Sequence, residues 1–90
     1  MSVKVRLNPV LQKLAGGKEV VEVTGRTTGE CLKNLESHFP GIKEAIRDKR
    51  GRLFPYCVVL VNSKCDYAKQ MTAPVKDGDE IEIKIIVAGG

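Results

Sequence analysis

The stretch from Asp77 to Gly90 constrains this chain more than any other. Asp77-Gly78-Asp79 is turn chemistry, since glycine takes positive φ without steric cost and aspartates bond their own backbone. Ile81, Ile83 and Ile85 then recur at every second position, alternating with Glu82, Lys84 and Ile86. That period of two is strand geometry, because successive Cβ atoms point to opposite faces. A strand that must hide three isoleucines on one side commits the fold to a sheet with an apolar layer against it. The run continues into Val87-Ala88-Gly89-Gly90. It predicts a slim tail leaving a rigid strand, suited to carrying a terminal carboxylate into another protein's active site.

The remaining pattern supplies the sheet and the layer. Val3, Val5 and Leu7 alternate with Lys4, Arg6 and Asn8, which predicts a first strand with one wet face. Leu11 and Leu14 tuck a connecting segment inward, Gly16-Gly17 turns, and Glu19 to Val23 reads as a second strand. Thr27 and Glu30 have capping-box spacing. Leu32, Leu35 and Phe39, with Cys31 one turn before Leu35, then make one helical face. Pro40-Gly41 stops that helix, and Ile42, Ala45 and Ile46 predict a short second one. Residues 47–56 read as a polar loop. Cys57 to Asn62 is a nearly all-apolar strand, Asn62-Ser63 a turn, Cys65 to Tyr67 a short edge strand, and 68–76 a loop. The expected order is ββαβ(β)β. The expected core is Val3, Val5, Leu7, Leu32, Leu35, Phe39, Val58, Leu60, Ile81, Ile83 and Ile85.

Composition narrows the function by exclusion. Ninety residues, 42% apolar and 29% charged, predict one soluble domain over residues 1–90. The longest apolar run, Cys57 to Val61, is too short to span a bilayer, and the charged, alternating first seven residues do not read as a signal peptide. The expectation is a cytoplasmic protein with no membrane partner, monomeric when free. Cys31, Cys57 and Cys65 are too few for a four-cysteine cluster and odd in number, so they read as small hydrophobes in a reducing compartment. The net charge of +4 is concentrated at Lys43, Arg47, Lys49, Arg50 and Arg52, against Glu44 and Asp48. With only Phe54 and Tyr56 nearby, that cluster reads as a solvated helix end and not as a nucleic-acid footprint. His38, the single histidine, falls where it complements the C-terminal dipole of the first long helix. No phosphate loop, dinucleotide motif, metal-ligand set or catalytic triad is visible, so the chain is expected to be no enzyme and to bind no cofactor.

These features resemble the MoaD/ThiS sulfur-carrier family over the whole chain. The resemblance is carried by Val75-Lys76-Asp77-Gly78-Asp79-Glu80-Ile81, by Gly89-Gly90 at its spacing beyond the strand, by Val61-Asn62 and by Thr28-x-Glu30. Gly17, Leu35-Glu36, Pro40-Gly41-Ile42 and the loop with Gly51 resemble the branch that includes the cysteine-biosynthesis carrier. The chain departs from the family at Ile85-Ile86, where many members have a proline, and at Ser63, where glycine is usual. The resemblance implies an α+β, ubiquitin-like β-grasp: a mixed sheet of four to five strands on one main helix. It implies that a ubiquitin-activating-like adenylyltransferase, using ATP and Mg²⁺, activates the Gly90 carboxylate. Sulfur then replaces AMP, and the thiocarboxylate serves a sulfur-acceptor synthase of molybdopterin, cysteine or thiamine type. Val87, Ala88 and Gly89 thread the partner's active site. A ubiquitin-like modifier or an interaction module is the alternative. Likeness to ubiquitin places the partner-docking face at Val59, Val61 and Ile86, opposite Val58 and Leu60.

Overall fold

Four of the alternating segments zip into one sheet: β1 (Ser2–Leu7), β2 (Val20–Thr24), β3 (Cys57–Val61) and β4 (Glu80–Ile85), in the order β2-β1-β4-β3. The computed structural model describes residues 2–86. β1 pairs antiparallel with β2 and parallel with β4, and β3 closes antiparallel on β4. The parallel pair requires a crossover, which the helical layer supplies through α2 (Thr28–His38) and α3 (Pro40–Ile46). This is the mixed-sheet β-grasp with one main helix, in its four-stranded form. The strand expected near Cys65 to Tyr67 is absent. Lys64 makes only an isolated bridge to Val61, and Asp66 caps a single 3₁₀ turn through the Ala68 N–H at 3.1 Å. The connection after β1 holds a short helix, α1 (Pro9–Leu14), where the sequence suggested only an inward tuck. Asn8 caps it by accepting the Leu11 N–H at 2.9 Å, and Pro9 takes the first turn.

α2 begins as its capping box predicts, with one displacement. Thr27 accepts the Glu30 N–H at 3.2 Å, but the Glu30 carboxylate returns to the N–H of Arg26, one residue ahead of the cap. The next free donors reach a distant loop. Thr28 N–H bonds the Ala73 carbonyl at 3.0 Å and Gly29 N–H the Met71 carbonyl at 2.8 Å, while the buried Thr28 hydroxyl donates to the Gln70 carbonyl. A Cβ on Gly29 would stand 2.7 Å from the Met71 oxygen, so glycine is required by that approach. The same loop reaches the sheet: the Gln70 side chain accepts the Val59 N–H at 2.8 Å. Cys57 N–H bonds the Phe54 carbonyl and Val61 N–H the Lys64 carbonyl. The outward donors of edge strand β3 are therefore occupied.

The core holds Val3, Val5, Leu7, Val23, Leu32, Leu35, Ile42, Ile46, Ile81 and Ile83, with Phe39 and Ile85 partly buried against it. One expected parity is reversed. Val59 lies opposite Ile83 and Val61 opposite Ile81, and antiparallel partners share a face, so these valines point toward the helices. Val59 is 2% exposed. Val58 and Leu60 lie opposite Lys84 and Glu82, on the other face, where Val58 is nonetheless buried as expected and Leu60 is half-buried. A second correction concerns the basic cluster. Arg47 is not solvated but reaches beneath α2 to the buried Glu36 carboxylate, and its Nη1 donates to the Gly51 carbonyl at 2.9 Å. The remaining basic residues of the cluster stay exposed. His38 does sit in the last turn of α2, its Nδ1 2.8 Å from the Asn34 carbonyl.

Asn62 and Ser63 both take positive φ, 49° and 69°, in a two-residue hairpin turn. Asn62 ties that turn to the base of β4, donating to Asp79 at 3.2 Å and accepting the Glu80 N–H at 3.0 Å. Asp79 also accepts the Lys76 N–H at 2.8 Å. The Lys76 N–H first, and the Asn62 amide second, hold its carboxyl below the usual carboxylate range.

Two outcomes follow from this packing. Leu35→Ala should lower stability by about 2–5 kcal/mol in urea unfolding, since the site is closed. For Asp79, a folded pKa below the unfolded value of about 3.9 means its contribution is complete above that value and is lost as pH falls through the folded one. The stability gap between the native protein and Asp79→Asn should be level above about pH 5 and shrink below about pH 4.

Candidate functional site at the end of the last strand

β4 lies inside the sheet, gripped on both sides, and it points the chain toward residues 87–90. The grip extends one residue past the strand: Ile86 N–H donates to the Tyr56 carbonyl at 2.8 Å. Val87, Ala88, Gly89 and Gly90 lie outside the described residues. Ile86 itself is 53% exposed, a large apolar side chain left in water at the strand's exit.

Ile86 is not alone there. By strand parity Tyr56, Val58 and Leu60 of the β3 side share the outward face with Lys84 and Ile86 of the β4 side. Phe54 stacks on Tyr56, with centroids 5.0 Å apart and ring planes 10° from parallel. Phe54 packs on the core, so it braces Tyr56 at the surface. The other half of the same face is charged, with Lys4 and Arg6 of β1 opposite Glu80 and Glu82 of β4, and Arg6 bonded to Glu80 at 2.9 Å. One half of the outer sheet is thus apolar and adjoins the tail, and the other is paired charge.

Of the residues expected to dock a partner, Ile86 is on this outward face and exposed, while Val59 and Val61 face the helical layer. Tyr56, Val58 and Leu60 take the outward positions on β3. One signal in the sequence distinguishes the two parities. Tyr56 and Asn62 carry polar atoms that need water or a partner, and they share parity with Val58 and Leu60.

The described residues offer no nucleophile at this place. Burial pushes the thiols of Cys31 and Cys57 up, which keeps them protonated and inert. Among the described residues no three His, Cys, Asp or Glu side chains converge as a metal site would need. No helix there is long and apolar enough to cross a membrane.

Comparison with known proteins agrees with this geometry. The ThiS family matches residues 5–90. The chain belongs to the ThiS family. It is 30% identical to the sulfur carrier protein CysO of Mycobacterium bovis, over all of both chains. Among solved structures it resembles the BexX/CysO complex of Amycolatopsis orientalis, with TM-score 0.87, 34% identity, and 98% and 99% of the two chains covered. SAMP1 from Haloferax volcanii superposes equally well, with TM-score 0.87 and 25% identity over all of both chains.

The reversed parity is checked by a pair of substitutions. Val59→Asp places a carboxylate in the core and should cost about 4 kcal/mol or more, whereas Leu60→Asp should cost about 1 kcal/mol. Thermal unfolding of the two variants side by side reads the difference, and a larger loss for Leu60→Asp would restore the opposite assignment.

Proposed function

We propose that this chain is a sulfur carrier whose reactive group is the Gly90 carboxylate. The observation that carries the reading is the placement of β4: an interior strand, locked by neighbours on both sides, ends beside the exposed Ile86, and the sequence runs on to Gly89-Gly90. The family match through residue 90 and the full-length similarity to a sulfur carrier support it.

A carboxylate resists acyl transfer because its charge is delocalised and oxide is a poor leaving group. A partner adenylyltransferase would let the Gly90 oxygen attack the α-phosphorus of ATP, releasing pyrophosphate, with Mg²⁺ on the partner offsetting phosphate charge. A sulfur donor then displaces AMP, leaving a thiocarboxylate. The chain contributes position and slimness and performs no catalysis. Extended, residues 87–90 span at most about 13–14 Å, enough to reach a buried site while the sheet stays outside. Tyr56, Leu60 and Ile86, set around the covered Val58, form the docking patch, and Lys84 within it favours an acidic group on the partner. The sulfur acceptor is a biosynthetic synthase, with a cysteine-type pathway supported by the carrier it resembles.

A second reading, conjugation to lysines as a protein modifier, draws on likeness to a small archaeal modifier protein of Methanosarcina acetivorans, with TM-score 0.85 and 28% identity. Intact-mass measurement separates the two: a free chain with one oxygen replaced by sulfur marks a carrier, and a ladder on other proteins marks a modifier.

Deleting Gly90 should abolish ATP–pyrophosphate exchange with the adenylyltransferase and leave the unfolding temperature unchanged, because a terminal residue buries little. Normal loading of the truncated chain would end the proposal. Gly90→Ala should slow loading without stopping it.

A further inference from the structure

A cleft of about 470 Å³ opens on the helical side of the molecule, lined by Lys33, Glu36, Ser37, Lys43, Arg47 and Gly51. α2 provides Lys33, Glu36 and Ser37, and α3 provides Lys43. Arg47 forms part of the floor. Its Nε is bonded to Glu36 and its Nη1 to the Gly51 carbonyl, so the guanidinium is fixed in direction. Its Nη2 is buried and has no hydrogen-bond partner. A buried charged donor without an acceptor is costly, and such groups are normally met by water or an ion.

The charges around it do not cancel. Glu36 offsets Arg47, but Lys33 and Lys43 are exposed and form no ion pair among the described residues. Asp48, the nearby acid, accepts the backbone N–H groups of Arg50 and Arg52 at 2.8 and 3.0 Å and does not line this cleft. The cleft therefore keeps an excess of two positive charges over a fixed guanidinium.

We propose that this cleft binds an anionic group, a phosphate or a carboxylate, held by Lys33 and Lys43 above Arg47. Such an ion lowers the repulsion between the two lysines, whose charges Glu36 leaves uncompensated. The cleft lies on the helical layer, away from the outward sheet face, so occupancy is compatible with a partner seated there. The proposal does not depend on the sulfur-carrier reading.

The test is titration of the whole ¹⁵N-labelled chain, at low and at about 0.15 M salt, with inorganic phosphate and separately with a blocked tetraglutamate peptide. At least one probe should give saturable shifts confined to residues 33–37, 43–47 and 51, including the Arg47 Nε–H, and added salt should weaken them several-fold. Saturation by phosphate alone assigns a free ion, and saturation by the peptide alone assigns an acidic side chain of a partner. Lys33→Gln with Lys43→Gln should weaken binding at least tenfold. Lys18→Gln with Lys76→Gln, the same loss of charge elsewhere, should leave it within twofold. Shifts spread over all the lysines, equal weakening by both double variants, or no saturation with either probe would overturn the proposal.

Discussion

The parallel pairing of β1 with β4 is the contact on which everything else depends. It joins strands from opposite ends of the chain, with Lys4 beside Glu80 and Leu7 beside Ile83. The Asp77-Gly78-Asp79 turn clasps the start of β1 before the strands align. Ser2 N–H bonds the Asp77 side chain at 2.8 Å, Gly78 N–H the Ser2 carbonyl at 3.0 Å, and Lys4 N–H the Asp79 carbonyl at 3.1 Å. Gly78 takes φ 87° to make that turn, a conformation costly for any side chain. Because β4 is central, the helices cross over on one face, and the other face is left without a helical layer.

The fold was legible wherever residues alternated between unlike chemistries. Lys4 and Arg6 between valines, or Glu82 and Lys84 between isoleucines, state which side is wet. Cys57 to Val61 offers no such contrast, since every residue is apolar, and the face had to come from register with β4. The face of Val59 was therefore missed while that of Ile83 was found. α1 was hidden for a related reason: six residues with one buried leucine carry too little periodicity, and only Asn8 and Pro9 mark its start. At the candidate site, Ile86 could be read from parity alone, whereas Tyr56 acquires its place from Phe54 beneath it and from the Ile86 N–H.

Long-range hydrogen bonds were the least visible. Residues 68–76 have no periodicity and read as loop, yet they satisfy the start of α2 and the side of β3 together. Glu36 and Arg47 likewise sit among charged neighbours and show no sign, in sequence, of being drawn inward. Breaking one member of such a pair leaves the other desolvated, so the pair restrains the junction of α2, α3 and the following loop more than it adds net stability. Leu35-Glu36, Pro40-Gly41-Ile42 and Gly51, which carried the branch resemblance, all belong to that junction.

The occupied outward donors of β3 have a consequence for how such a molecule behaves in a crowded solution. An open strand edge is a template on which another chain can lay a strand, with domain exchange and fibre growth as outcomes. Here the Phe54 carbonyl, the Gln70 side chain and the Lys64 carbonyl take up the three N–H groups that would recruit it. That edge borders Tyr56 and Ile86, where an added strand would cover the surface proposed for docking. With backbone pairing closed off, association beside the tail is left to side chains. Such contacts release more readily than a ladder of main-chain bonds, and a protein that visits one partner after another needs that release.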